Sequence, residues 1–301
     1  MNTRRRQGIL IALATAVISG FSVYLNSCGV KAVGEATVYT TAKNAVAALI
    51  LLAIVGLGRG AGVRVTAPRT RSGWLGLLAV GVVGGSVPFV LFFVGLAQTK
   101  APQAAFLQKT LVLWVAILAV VTLKERLRPV HWIAIALLLA GQWWLGGGAA
   151  FALDSGGLLI LIATLLWSAE AVLARWLLAS VSSWTLGVVR MGVGSVVLLG
   201  WLGVTGRLGM LATLTAAQWG WVLLTGVLLA AYVATWFAAL ARAQAVDVTA
   251  VLVLGAVITA LIDAGVRGVL PGPVPALLCV LAGVGVFAAM AWRGAGRLAP
   301  E

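Results

Sequence analysis

The sequence predicts an all-α polytopic membrane protein: ten transmembrane helices arranged as two inverted five-helix repeats. Composition, the spacing of apolar runs and the placement of charge each point there. The 301 residues are 62% hydrophobic and 9% charged, with a mean hydropathy of +1.11. Soluble domains run near half apolar and a quarter charged, so lipid must stand where polar surface is missing, and a soluble enzyme is excluded. At about 20 residues per span the chain accommodates about ten helices and leaves no folded domain outside the bilayer. Function must then sit between helices.

Apolar runs bounded by glycine, proline or charge place the spans near 8–29, 36–57, 73–97, 102–122, 131–147, 157–178, 184–205, 217–241, 248–267 and 274–292. The first follows Arg4-Arg5-Arg6, and its Leu25-Asn26-Ser27-Cys28 imitates a lipoprotein cleavage site. The run is nevertheless long enough to span, and we read it as the first helix. The second span carries Lys43 beside Asn44. In the third, Gly84-Gly85-Ser86 precedes Pro88, which predicts a kink whose freed carbonyls line a path. Lys109, beside Gln108, interrupts the fourth. The fifth starts at His131, which reads as an interfacial residue or a proton switch, and ends in Gly146-Gly147-Gly148. Trp167 and Glu170 lie on the sixth, Arg190 on the seventh, and Tyr232 and Trp236 on the eighth. Asp263 interrupts the ninth, and Asp247 at its start suits the positive end of a helix.

Charge tests the helix count independently. With a cytoplasmic N-terminus, 14 Lys and Arg residues fall inside (Arg4, Arg5, Arg6, Arg59, Arg64, Arg69, Arg71, Lys124, Arg126, Arg128, Arg175, Arg242, Arg293 and Arg297). Only 4 fall outside: Lys31, Lys100, Arg207 and Arg267. Such a bias in short loops is a positive-inside signal that needs all ten spans to stay in phase. It places both termini in the cytoplasm and the chain in the cytoplasmic (inner) membrane. The net charge of +14 therefore speaks of anionic headgroups and not of nucleic acid. Cys28 and Cys279 define neither a disulfide framework nor a metal site.

A shift of 144 residues lays Leu96, Ala97, Ala101, Ala116, Pro129 and Gly141 on Leu240, Ala241, Ala245, Ala260, Pro273 and Gly285. Near the start of each half, Gly8, Ala14, Thr15 and Ser19 meet Gly157, Ala163, Thr164 and Ser168. The halves, 1–150 and 151–301, each hold an odd number of spans and so face opposite ways. In such inverted repeats the substrate path lies at the junction of the halves near the midplane.

Lys43, Lys109, Glu170, Arg190 and Asp263 fall inside predicted spans. Each costs at least ~2.5 kcal/mol near the bilayer centre, so each should face the interior or a wet cavity. Glu170 and Arg190 flank a turn near Ser180 at equal depth, ~15 Å from it. They read as a structural salt bridge or as a coupling and gating pair in which Glu170 binds a cationic group or carries a proton. Trp167, one turn from Glu170, offers a ring for packing on substrate. Lys109 with Gln108, and Lys43, are candidates for holding a substrate carboxylate. Tyr232, which matches Pro88 in the second half, offers hydroxyl and ring together, with Trp236 one turn on. Asp263 stands four residues before Arg267, which suits a local pair, and is a weaker candidate for gating with Pro88.

Ala104-Ala105-Phe106-Leu107-Gln108-Lys109-Thr110, the helix end Leu123-Lys124-Glu125-Arg126-Leu127 with Pro129 after it, and the opening of the second half from Gly156 to Arg175 carry a resemblance. On them the chain resembles the drug/metabolite transporter superfamily in its ten-helix EamA-type branch, over essentially its whole length. The resemblance implies two inverted five-helix halves around a central cavity and transport, often outward, of amino acids, other metabolites or toxic organic compounds. One departure stands out: Glu125 is matched by Val269 in the second half, so the two helix ends do not share one role.

No metal-binding His-Glu-x-x-His, phosphate-cradling glycine loop or nucleophile-base pair is present, so no cofactor is expected and transport is passive or gradient-driven. The expected function is a secondary transporter or exporter of a small amphipathic metabolite, an amino acid or related compound, working by alternating access, with protons a candidate coupling ion. Three intramembrane cations against two acids favour a substrate with a carboxylate. The expected partners are the small-molecule substrate and the lipid bilayer, the protein being a monomer or homodimer. The alternatives are a membrane enzyme on a lipid-linked substrate, for which the loops offer only arginines, Glu125 and Asp154, and a non-transporting helper subunit.

Overall fold

The computed structural model describes residues 3–58, 63–125, 127–145, 153–268 and 274–293. Gly146-Gly147-Gly148, the division at residue 150, the stretch from Val269 to Pro273, and Arg59, Arg126 and Arg297 lie outside the described residues. Among those described, the regular elements are all helical.

The first half comprises α1 (Thr3–Val33), α2 (Ala36–Leu57), α3 (Arg71–Ala79), a π-helical segment (Val80–Gly84), α4 (Val87–Gln98), α5 (Ala101–Lys109), α6 (Leu111–Thr122) and α7 (Pro129–Leu145). The second comprises α8 (Ser155–Leu177), α9 (Ser183–Val204), a 3-10 turn (Leu208–Leu211), α10 (Ala216–Leu240), α11 (Ala245–Leu252), α12 (Leu254–Arg267) and α13 (Val274–Arg293). The segments α3 to α4, α5 with α6, and α11 with α12 each act as one span, which restores ten. Eight of these are long and apolar enough to cross a bilayer. The 17 residues of α7 sit at the short end of the range that can.

Local chemistry explains the boundaries. Glu35, Thr70, Asp154 and Ser182 each accept a backbone N–H at the start of α2, α3, α8 and α9, and Thr215 with Gln218 closes a capping box on α10. The reversal between α1 and α2 takes two residues, Gly34 and Glu35, and Gly34 sits at φ 83°, where a side chain would be strained. α1 extends beyond the predicted 8–29 at both ends, because helical hydrogen bonding continues through the flanking polar residues as far as the Gly34 N–H, which bonds Val30 O.

The two halves are related by exchange across the interface. α1 packs on α10, and its counterpart α8 packs on α4; α1 meets α12 while α8 meets α6. α2 against α9, and α7 against α13, are self-matched pairs and lie on the pseudo-twofold axis. The fourth helix of each half breaks at nearly the same place, at Thr110 and at Val253, 143 residues apart. Thr15 donates to Ile11 O and Thr164 to Ile160 O, a repeated bond at positions the sequence repeat equates. The third helices differ: α10 is continuous, while its counterpart is broken at Pro88.

Candidate functional site

A cavity of about 760 Å³, mouth included, opens at the junction of the halves, midway along the helices. Lys43, Gln108, Trp167, Glu170, Arg190, Tyr232 and Trp236 line it, drawn from α2, α5, α8, α9 and α10. α1 contributes a polar stripe, Ser19, Ser22 and Asn26, and α4 an aromatic one, Phe89, Phe92 and Phe93.

At one end Lys43 is fully buried, its Nζ 3.1 Å from Asn26 Oδ1. The ammonium lies over the Phe93 ring, 3.5 Å from its centroid, with Phe89 and Tyr39 flanking at 5.5 Å. Tyr39 donates to Asn26 Oδ1 at 2.7 Å, which ties α2 to α1. Lys109 is also buried: its Nζ donates to Ser19 Oγ at 2.7 Å and to Gln108 Oε1 at 3.1 Å. It stands behind the cavity wall that Ser19 and Gln108 form.

On the other side, Glu170 and Arg190 make a forked pair, Nε to Oε1 3.2 Å and Nη2 to Oε2 3.4 Å. The Phe89 and Phe237 rings cover the guanidinium. Tyr232 and Trp236 stack with centroids 6.1 Å apart, and Trp167 packs against Phe89 and Phe92 at 5.2 and 5.3 Å.

Pro88 acts through backbone. It has no N–H for Gly84 O four residues back, and the Trp167 indole donates there instead, at 3.1 Å. The next carbonyl, Gly85 O, is released at the same break and accepts Asn44 Nδ2 at 3.1 Å. The freed carbonyls expected to line a path are therefore taken up by side chains of α8 and α2, because a buried carbonyl must find a donor. Gly85 and Gly194 meet backbone to backbone where α9 crosses this break.

Asp263 sits apart from the cavity, paired with Arg267 at 3.0 Å at the far end of α12. Asp247 is in the first turn of α11, as expected, but it is buried and paired with Arg5 of α1 at 2.8 Å. That partner is 242 residues away, and no local spacing reveals it. His131, read from sequence as an interfacial residue or a proton switch, is buried in the first turn of α7. It accepts the Arg128 N–H at Nδ1 because the first turn of α7 folds inward. Glu125 Oε1 accepts the Ala245 N–H at the start of α11, at 3.2 Å. Burial pushes the Glu125 carboxyl above the usual carboxylate range, reinforced by Asp247 and opposed by the Ala245 N–H and Arg175.

Sequence reasoning passed over Asn26, Ser22, Tyr39 and the phenylalanines of α4. A signal existed for the last: positions 89, 92 and 93 share one helical face, one turn after a proline break.

Comparison with known proteins agrees with this architecture. No curated protein matches the chain in sequence. One solved structure, titled only as the crystal structure of a protein, superposes over 97% of this chain and 99% of its own with a TM-score of 0.75 at 18% identity. That likeness shows the fold. The profile of the EamA-like transporter family matches twice, over residues 6–146 and 154–291, once on each five-helix half. The chain belongs to the EamA-like transporter family, a membrane transporter family of the drug/metabolite transporter superfamily.

Proposed function

We propose that the protein is a secondary carrier that moves a small amphipathic metabolite across the cytoplasmic membrane by alternating access. The observation that carries this reading is the midplane cavity between the inverted halves, walled by rings yet holding buried charged groups. Charged groups are expensive at that depth and are kept where a polar ligand or water meets them. The basic face, where α1 begins, is the cytoplasmic side in this reading, as the arginine distribution argues. Family membership supports transport as the activity, and the energy source is a gradient of the substrate or of protons.

Purified protein in liposomes, offered a broad panel of amino acids and organic acids with and without an imposed proton gradient, tests it. The carrier should move at least one compound well above empty vesicles. Flux indistinguishable from empty vesicles across the whole panel would reject the reading.

A further inference from the structure

We infer that the cavity is built for an organic anion, an aromatic carboxylate without an ammonium group, whose acid head lies against Lys43 and the Ser22 hydroxyl. The inference rests on the carrier reading and narrows its substrate.

The chain has seven carboxylate side chains, and the six among the described residues are all committed. Glu35 pairs with Arg207, Asp247 with Arg5, Asp263 with Arg267 and Glu170 with Arg190. Asp154 caps α8, and Glu125 holds the start of α11. None is left for Lys43 or Lys109, whose Nζ atoms are bonded to neutral oxygens. Glu170 is balanced by Arg190, so a protonated lysine here has no protein anion to balance it. A buried cation without a partner is costly, and an incoming carboxylate removes that cost.

A second observation marks where the carboxylate goes. Ser19, Ser22 and Asn26 fall on one face of α1 over about two turns, ~10 Å, with Lys109 on Ser19 and Lys43 on Asn26. Between them the Ser22 hydroxyl is buried, lines the cavity and has no hydrogen-bond partner among the described residues. A buried hydroxyl without a partner is a donor in waiting. A carboxylate that accepts from Ser22 and Lys43 satisfies both.

The rest of the ligand follows from the walls. Phe89, Phe92, Trp167, Tyr232 and Trp236 suit a ring. An α-ammonium would gain less, because the charge of Glu170, the carboxylate that lines the cavity, is already balanced by Arg190. An amino acid should therefore bind more weakly than the same molecule without its amine.

The test keeps the ring and changes the charge: 3-phenylpropionate, phenylalanine and 2-phenylethylamine, titrated by calorimetry onto purified full-length protein, with flux of the proteoliposome panel measured in parallel. The acid should bind at least ten-fold tighter than phenylalanine, and the amine should not saturate. Lys43→Met should weaken the acid ten-fold or more, and Ser22→Ala, which adds no bulk, should weaken it several-fold even if the lysine variant fails to fold. Equal or tighter binding of phenylalanine or the amine overturns the inference, as does unchanged acid affinity in Ser22→Ala. Absence of acid binding while liposomes still move other compounds overturns it too and leaves the carrier reading standing. Absence of all flux removes the carrier reading itself.

Discussion

Glu170 and Arg190 separate packing from chemistry at the level of single residues. Arg190→Gln leaves a carboxylate buried at the midplane without its partner, which costs about 3–5 kcal/mol and should lower the melting temperature by several degrees. The double variant Glu170→Gln/Arg190→Gln orphans no charge and should melt near the wild type. If Glu170 carries the coupling proton, the double variant keeps exchange at equal substrate concentrations and loses gradient-driven accumulation, both read as tracer flux in liposomes. Retained accumulation would make the pair a clamp between α8 and α9. Sequence alone brought this pair together, because two spans joined by a short turn place residues equidistant from it at equal depth. It could not supply Asn26 as the oxygen on Lys43, or Arg5 as the partner of Asp247, since both pairings join helices whose contact depends on how the bundle closes. Nor did it single out the phenylalanines of α4, one of whose rings lies under the Lys43 amine.

For whole elements, the broken third helix is the informative one. Pro88 withholds the N–H that Gly84 O would otherwise receive, and the Trp167 indole substitutes for it. Trp167→Phe keeps the contacts with Phe89 and Phe92 but leaves a buried carbonyl without a donor, for about 1–3 kcal/mol. Pro88→Ala returns a backbone N–H to position 88. The combination Pro88→Ala/Trp167→Phe should therefore be less destabilised than the sum of the two single changes, a coupling that melting temperatures over the four-member cycle will show. Additive losses would mean that the indole bond is incidental. Hydropathy locates the ten spans because apolar run length and flanking charge determine where a chain crosses lipid. It does not show how a proline-freed carbonyl is re-satisfied, since the donor lies 83 residues away on another span. The breaks at Thr110 and Val253 were hidden for a different reason: a short irregularity between two apolar half-helices leaves composition unchanged.

Across the whole molecule, both ends of the cavity are tied between halves. On the face opposite the basic one, Glu35 meets Arg207 and Gln218 donates to Ala32 O. On the basic face, Thr66 and Arg64 bond Ser182 and Thr185, Arg5 holds Asp247, and Glu125 holds the start of α11. In the carrier reading, access from the basic face requires the last of these ties to part, and the burial of Glu125 should make that step depend on pH. Burial raises its pKa, so the tied arrangement holds the proton to higher pH than Glu125 freed into water does. Proton binding therefore favours the tied arrangement; as pH rises through the raised value, the carboxylate gains more from water and the tie loosens. Arg5, Asp247, His131 and Arg175 surround this point, so the decisive comparison is with Glu125→Gln. That variant keeps an oxygen for the Ala245 N–H and removes the titration. Amide hydrogen exchange over residues 241–248, corrected for the intrinsic pH dependence, should speed up with pH in the wild type and stay flat in Glu125→Gln. A parallel rise in both would place the sensitivity on the neighbours, and a flat wild type would mean that the tie does not open on this timescale.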